Sequence, residues 1–480
     1  MKPISSNNAK RPTGLSARQM HMLRLCSWRL LLPLLFIIAL HACKVTTPYR
    51  QPARAASDSL YRDTTITDTT SIATLPWRQL FPDTLLQTLI QEGIDNNLDL
   101  KIAVTRMRQA EANVRQSKAA FFPSLDANAG ASFQKTAGSP STHNYQVYLS
   151  STWQVDLWGK LRSTKRAALA ALLQSDAYRR DVQTQLVANI AGNYYSLLGL
   201  DQQLKITLAT IDNRKEDVNT TKALKESDVL TGAAVMQSQA NLYSAEVTLP
   251  DIRQNIRNTE NTICLLLGRN PGAIHRDSLY SVPIPTDLKT GLPAQLLANR
   301  PDVQEAEDQL RYYTELTNVA RTYFYPALTI TGQGGLSSGN LSHFFDASAF
   351  FGNIVGGLTQ PIFNNGLNRQ RLEVAKAQQQ EFLLTFQKTL LTAGQEVSNA
   401  LYDYQAATEK IDIRKNQLHF LEKSVEFTKE LMKYNANTNY TDVLTSEQNL
   451  LSAQINSIDD RLQQLQAVIT LYASLGGGWR

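Results

Sequence analysis

The sequence predicts a mainly α-helical chain that also carries four β-strands long enough to cross a membrane, and three observations lead there. The body of the chain occurs twice in tandem. Short segments within each copy switch to a two-residue apolar period, and long proline-free stretches with coiled-coil spacing fill the rest.

The formal charge of +6 over 480 residues sits at the start of the chain. Lys2, Lys10, Arg11, Arg18, Arg24 and Arg29 precede Cys43 with no acidic residue among them, so the remainder is close to neutral. The basic-patch signature of a nucleic-acid partner is therefore missing, and no such partner is expected. The basic segment leads into an apolar run from Leu30 to Leu40, too short to span a bilayer comfortably, which marks residues 1–42 as a cleaved signal peptide. The junction Leu40-His41-Ala42-Cys43 resembles the lipobox of bacterial lipoproteins. That resemblance implies cleavage before Cys43, acyl chains such as palmitate on this residue, and attachment to the lipid bilayer. His41 is an unusual occupant of a position that normally holds a small residue, and Met20 and Met22 offer alternative starts. The alternative is an ordinary signal peptide with an incidental cysteine. Cys26 lies in the leader and Cys264 sits alone in an apolar run, so no disulfide is expected once Cys43 is lipidated.

Residues 43–76 are rich in Thr, Ser, Asp, Pro and Arg without apolar periodicity and read as a flexible tether. The duplication follows. At an offset of 203, Asp99, Ala103, Arg108 and Pro123 meet Asp302, Ala306, Arg311 and Pro326, and Phe122 meets Tyr325. At an offset of 208, Ser238, Asn241, Leu242, Ser244 and Ala245 meet Ser446, Asn449, Leu450, Ser452 and Ala453, and Leu267-Gly268 falls on Leu475-Gly476. The copies are assigned to 77–270 and 291–480 with a linker over 271–290. Repeats this long exceed solenoid units, so each is a complete substructure.

Each copy opens with a helix, expected over Asp83–Ala120 and Leu292–Thr322, and both stop before an aromatic-Pro step. Strands follow at about Ser124–Gln134 and Ala327–Gly335. A second strand in each copy shows the alternation: Tyr145, Val147, Leu149, Trp153, Val155 and Leu157 against Gln146, Ser150, Thr152, Gln154 and Asp156, then Phe350, Ile354, Leu358 and Ile362. The strand regions span about 124–157 and 327–363, with strands as long as a tilted membrane crossing requires. From about Gly159 to Glu226 one helix of roughly 68 residues, close to 100 Å, is expected. Leu451, Ile455, Ile458, Leu462, Leu465, Ile469 and Tyr472 step by four and three as in a coiled coil.

Four strands cannot close a barrel, and an open sheet edge in lipid leaves backbone groups unpaired at several kcal/mol each, so other copies of the chain must complete the sheet. Local motifs point the same way. Trp153-Gln154-Val155-Asp156-Leu157-Trp158-Gly159-Lys160-Leu161-Arg162, Arg300-Pro301-Asp302-Val303 with Glu305-Ala306-Glu307, Leu358-Thr359-Gln360-Pro361-Ile362-Phe363, and the ending Leu475-Gly476-Gly477-Gly478-Trp479 together resemble outer-membrane efflux proteins of the TolC type, in the NodT-like lipoprotein branch serving resistance-nodulation-division pumps. The resemblance implies a homotrimer with a shared twelve-stranded β-barrel, a periplasmic helical tunnel, and docking onto a periplasmic membrane-fusion adaptor and an inner-membrane pump. It implies a passive conduit for small molecules (drugs, toxic compounds or metal ions), with neither enzymatic activity nor a cofactor.

In that family a motif like Tyr-Leu-x-Val-Leu-Asp-Ala-Gln lies where the tunnel narrows. The corresponding run here is Tyr440-Thr441-Asp442-Val443-Leu444-Thr445-Ser446-Glu447, so Thr441, Asp442 and Thr445 are the candidate pore constriction, with Asp442 the nearest acid. The other reading of Asp442 is an N-cap or solvated carboxylate beside a helix start. Residues Glu305, Glu307 and Asp308 alternating with Arg300 and Arg311 read as solvated ion pairs. His143 and His343 read as exposed loop histidines without partners at metal-ligand spacing. Gly332-Gln333-Gly334-Gly335 reads as a turn, since no helix follows to make a phosphate site. Two other functions share parts of this pattern: a type I secretion duct, and an envelope-bridging coiled-coil lipoprotein, which has no use for membrane-length strands.

Overall fold

Matching elements recur at the spacing of the duplication. The structure, a computed structural model, describes residues 45–52, 60–62, 71–283, 290, 295–434 and 440–480. The leader 1–42 and Cys43 lie outside them. Helices α1 (Trp77–Leu80), α2 (Thr84–Asn96) and α3 (Leu98–Ala119) precede strands β1 (Ser124–Gln134) and β2 (Thr142–Val155). Helix α4 (Lys160–Glu226) follows, then α5 (Gly232–Glu246) and α6 (Thr248–Leu266). The second copy holds α7 (Leu296–Asn299), α8 (Pro301–Thr322), β3 (Ala327–Ser338), β4 (Phe350–Thr359), α9 (Leu367–Tyr434) and α10 (Tyr440–Ser474). Helices α3 and α8, both 22 residues, coincide at an offset of 203. The span from Gly232 to Leu266 coincides with the 35-residue α10 at an offset of 208. Four of the five residues by which the offset changes accumulate where the β3–β4 connection, 339–349, is longer than the β1–β2 connection, 135–141.

Two compact units are present. The first, built on 123–163 and 318–368, holds the sheet: four antiparallel strands in the order β1-β2-β3-β4 among the described residues. Asp156 ends β2 two residues before the expected Leu157, because its carboxylate turns to cap the next helix through Leu161 N (3.0 Å) and Arg162 N (3.1 Å) and pairs with the Arg162 guanidinium. The Trp158 indole donates to Pro326 O at 2.7 Å, tying the end of β2 in the first copy to the start of β3 in the second. Strand β4 ends at Thr359, short of Ile362, since Gln360 precedes proline and Pro361 has no N–H for the ladder. The glycine run 332–335, expected as a turn, lies inside β3, which continues to Ser338. His143 belongs to β2 rather than a loop, with its ring between Phe133 and Tyr145.

The second unit, built on 49–122, 164–317 and 369–480, is helical. Its core gathers Leu86, Ile90, Tyr194, Leu197, Ile263, Leu267, Val303, Phe386, Val397, Ile458, Leu471 and Tyr472 from both copies. The helix expected over Asp83–Ala120 is broken at Asn97, which is at once the C-cap of α2 and the N-cap of α3, accepting from Leu100 N at 2.9 Å. The helix expected over Leu292–Thr322 is broken at Arg300, the residue before Pro301. These breaks are the same break at an offset of 203, and each is locked to the end of its own copy. Asn97 donates to Leu266 O at 2.9 Å, and Arg300 donates to Ser474 O at 2.8 Å. Beside them Gly268 (φ +69°) and Gly476 (φ +88°) press against the Asn96 and Asn299 carbonyls, where a Cβ would come within 2.6 and 2.4 Å of the oxygens. A left-handed backbone and no room for a side chain require glycine at both.

Arg300 is 6% exposed and also pairs with Asp302 and Glu396, while Glu307 accepts from Tyr49 and Gln51. The solvated reading of this charged run is therefore corrected: the groups join helices and hold the N-terminal segment. The expected tether likewise packs on the body where it is described, with Tyr61, Ile72 and Ala73 buried. In the second copy α10 is continuous, whereas its counterpart is interrupted at Val247, because Pro250 lacks an N–H and its ring crowds the carbonyl four residues earlier.

Candidate functional site

The register of the sheet decides which residues share a face. Leu125, Phe133, Val147, Leu149, Trp153, Phe350, Ile354 and Leu358 all point to one side, and all are exposed, Ile354 at 83%. The opposite side carries Ser124, Asp126, Asn128, Gln146, Ser150, Thr152, Gln154, Thr329, Thr331, Gln333, Asn353 and Thr359, with Tyr148, Phe351 and Val355 as its large apolar members. Neighbouring polar groups bond to each other along it, Asn128 to Ser150 at 2.9 Å and Ser337 to Asn144 at 3.0 Å. From Tyr145 to Trp153 is about 26 Å of strand at ~3.3 Å per residue, comparable with the apolar band of a membrane barrel once tilted. One side is built for lipid and the other for water, and among the described residues strands β1 and β4 each leave an edge unpaired.

In the helical unit, α10 begins at Tyr440, and its first turns carry the three candidate constriction residues. Tyr440, Val443 and Leu444 are buried, and the Tyr440 hydroxyl donates to Ser238 of α5 at 3.1 Å. Thr441, Asp442 and Thr445 are exposed. Thr441 and Thr445 stand one turn apart, with the Thr445 hydroxyl donating to Thr441 O at 2.8 Å, and Asp442 lies in the first turn, where the helix dipole favours a carboxylate. The geometry thus places these three side chains on the solvent side of the helix start, together and away from the α5 contact.

The sequence reading did not foresee the cluster behind them. Glu447 of α10 meets Lys429 of α9 at 2.6 Å and Arg214 of α4 at 3.4 Å, and Asp217 lies 4.0 Å from Lys429. Burial, and next the charge of Glu447, holds the Asp217 carboxyl above the usual carboxylate range. A signal for Arg214 was present: Leu200, Leu204, Thr207, Ile211, Arg214, Val218 and Thr221 step by four and three, so Arg214 occupies a seam position of α4 and is 4% exposed. Its partners come from other helices, and spacing along α4 says nothing about them.

The comparisons with known proteins agree with this geometry. The family model for outer membrane efflux proteins matches residues 89–269 and 292–477, once for each copy. The cation efflux system protein CusC of Escherichia coli is 28% identical over 463 residues, covering 94% of this chain and 99% of its own. The toluene efflux pump outer membrane protein TtgC of Pseudomonas putida is 31% identical over 418 residues, covering 84% and 85%. The solved structure of the outer-membrane channel OprN superposes with a TM-score of 0.83 at 26% identity, over 91% of this chain and all of that one. The matched relatives are efflux components rather than enzymes. With a duplicated helical body, a sheet of four strands with one face for lipid, and a match spanning both copies, the chain belongs to the outer membrane efflux protein family.

Proposed function

We propose that three copies of the chain close a twelve-stranded barrel in the outer membrane, and that this trimer is the passive exit duct of a tripartite efflux pump. The observation that carries the reading is the sheet: it has an apolar face, a polar face and two open edges, and four strands are about half the practical minimum for closure. Helix α9 supports it. Leu384, Leu391, Tyr402, Ile413, Phe420 and Phe427, spaced by seven or eleven residues, are 55% to 71% exposed, a stripe that a second copy would cover. The duct takes cargo from a periplasmic adaptor and an inner-membrane pump of the resistance-nodulation-division type, and the chain performs no covalent chemistry on it. Relatives of comparable similarity are named for cations and for toluene, so the scaffold itself leaves cargo open within small molecules. We assign Cys43 as the lipid anchor, residues 1–42 as the leader, 77–270 and 291–480 as the two repeats, and Thr441, Asp442 and Thr445 as the lining of the periplasmic constriction. Purified protein added to a planar lipid bilayer should give discrete ohmic conductance steps. Protein that is folded and membrane-inserted yet gives no steps would contradict the duct.

A further inference from the structure

The polar face of the sheet carries one row that does not match its surroundings. Tyr148 and Phe351 stand on either side of Gly335 in the row Asn128-Tyr148-Gly335-Phe351, with ring centroids 5.9 Å apart and planes at 59°. Gly335 makes the pairing possible. A Cβ there would lie 2.2 Å from Val147 O and 2.5 Å from the Tyr148 Cβ, so the two rings meet across the space a side chain would fill. One same-face row away, about 7 Å along the strand, is Asp126 opposite Ser150. Asp126 is the sole Asp, Glu, Lys or Arg in the four strands, and it is exposed. Ser124 donates to it at 3.4 Å. Hydrophobic closure of the barrel does not call for two rings on its wet side, and a lone carboxylate beside them adds charge to a π surface.

We propose that Asp126, Tyr148 and Phe351 form a contact site in the barrel for organic cations with an aromatic or apolar body. The proposal rests on the trimeric duct, which would bring three carboxylates and six rings into the lumen. A large organic cation sheds its loosely held water readily, gains ring contact and cation–π attraction, and is drawn in by the carboxylates. A small hydrated cation gains only the last of these. Contacts this weak suit a conduit, which must let cargo leave as easily as it enters.

The test is open-channel current in planar bilayers with tetraphenylphosphonium or tetramethylammonium added to potassium chloride. Both probes can make cation–π contacts, but only tetraphenylphosphonium has rings to stack on Tyr148 and Phe351; each stack contributes roughly a two- to five-fold preference, so wild-type channels should show excess current noise from tetraphenylphosphonium at about one-tenth the concentration needed for tetramethylammonium. The Tyr148→Leu/Phe351→Leu double variant keeps apolar volume without the π faces and should bring the two probes to within about two-fold of each other. If the double variant does not insert, Phe351→Leu alone should lose roughly half of the preference on a logarithmic scale. Asp126→Asn should weaken the response to both probes while preserving their ratio. A probe ratio unchanged by removing the rings overturns the site, and so does a wild-type ratio near one. Absence of conductance steps in wild type overturns the duct reading instead.

Discussion

Asp181 of the first repeat sits among charges brought by the second, and its carboxyl is pushed up to about 6 by burial first and by the nearby Asp302 second, with Arg300 opposing. A carboxyl raised from 3.8 to about 6 binds its proton more tightly in the folded chain than in the unfolded one. Its contribution to stability is therefore full below about pH 4 and is lost as pH rises towards 6. The Asp181→Asn variant should flatten that part of the thermal-stability profile and should melt higher than wild type at pH 7, read by circular dichroism in detergent across the pH series. Asp442 is a different case, exposed at a helix start with its chemistry aimed at solvent. Asp442→Asn should lower the cation selectivity of the conductance, measured as the reversal potential across a salt gradient. An unchanged potential would return Asp442 to the role of a solvated first-turn carboxylate. The family motif singled out these three candidate residues in the sequence, whereas the buried meeting of Arg214, Lys429 and Glu447 depends on how three helices register. The step pattern of a single helix shows that a seam position is charged, not what neutralises it.

At the scale of elements, period and proline placement made most of the fold legible. The strand β1 and the helix α4 were located almost to the residue because an abrupt change of period and Gly159 mark their ends. The helix breaks at Asn97 and Arg300 were missed, since a polar residue within a long polar-apolar pattern looks like one more solvent position. Their role depends on the carbonyl each one meets, Leu266 O and Ser474 O, roughly 170 residues away. The ends of β2 and β4 were overrun for the same reason: apolar alternation continues through Leu157 and Ile362 although the hydrogen-bonding has stopped. The paired breaks give an ordered prediction. Asn97→Ala removes a cap and one side-chain bond and should cost about 1–2 kcal/mol. Arg300→Ala strips a buried cation from Asp302, Glu396 and the Ser474 carbonyl and should cost about 3–5 kcal/mol. Denaturant unfolding of the two variants checks the order, and equal losses would mean that the charge on Arg300 adds nothing to its role as a clasp.

For the whole molecule, two surfaces are left unfinished among the described residues: the open edges of β1 and β4, and the apolar stripe along α9. Each by itself describes a chain that needs a neighbour. The proposed adaptor and pump come from family resemblance and the cargo stays open within small molecules, because no residue in the proposed polar lumen need bind anything tightly. The central claim is that barrel closure belongs to the assembly, and the most direct measurement is the mass of the membrane-extracted protein in mild detergent, by light scattering corrected for bound detergent or by native mass spectrometry. Three chains per particle are expected, dissociating to single chains on heating. A folded single-chain particle, with no oligomer before heating, would contradict it.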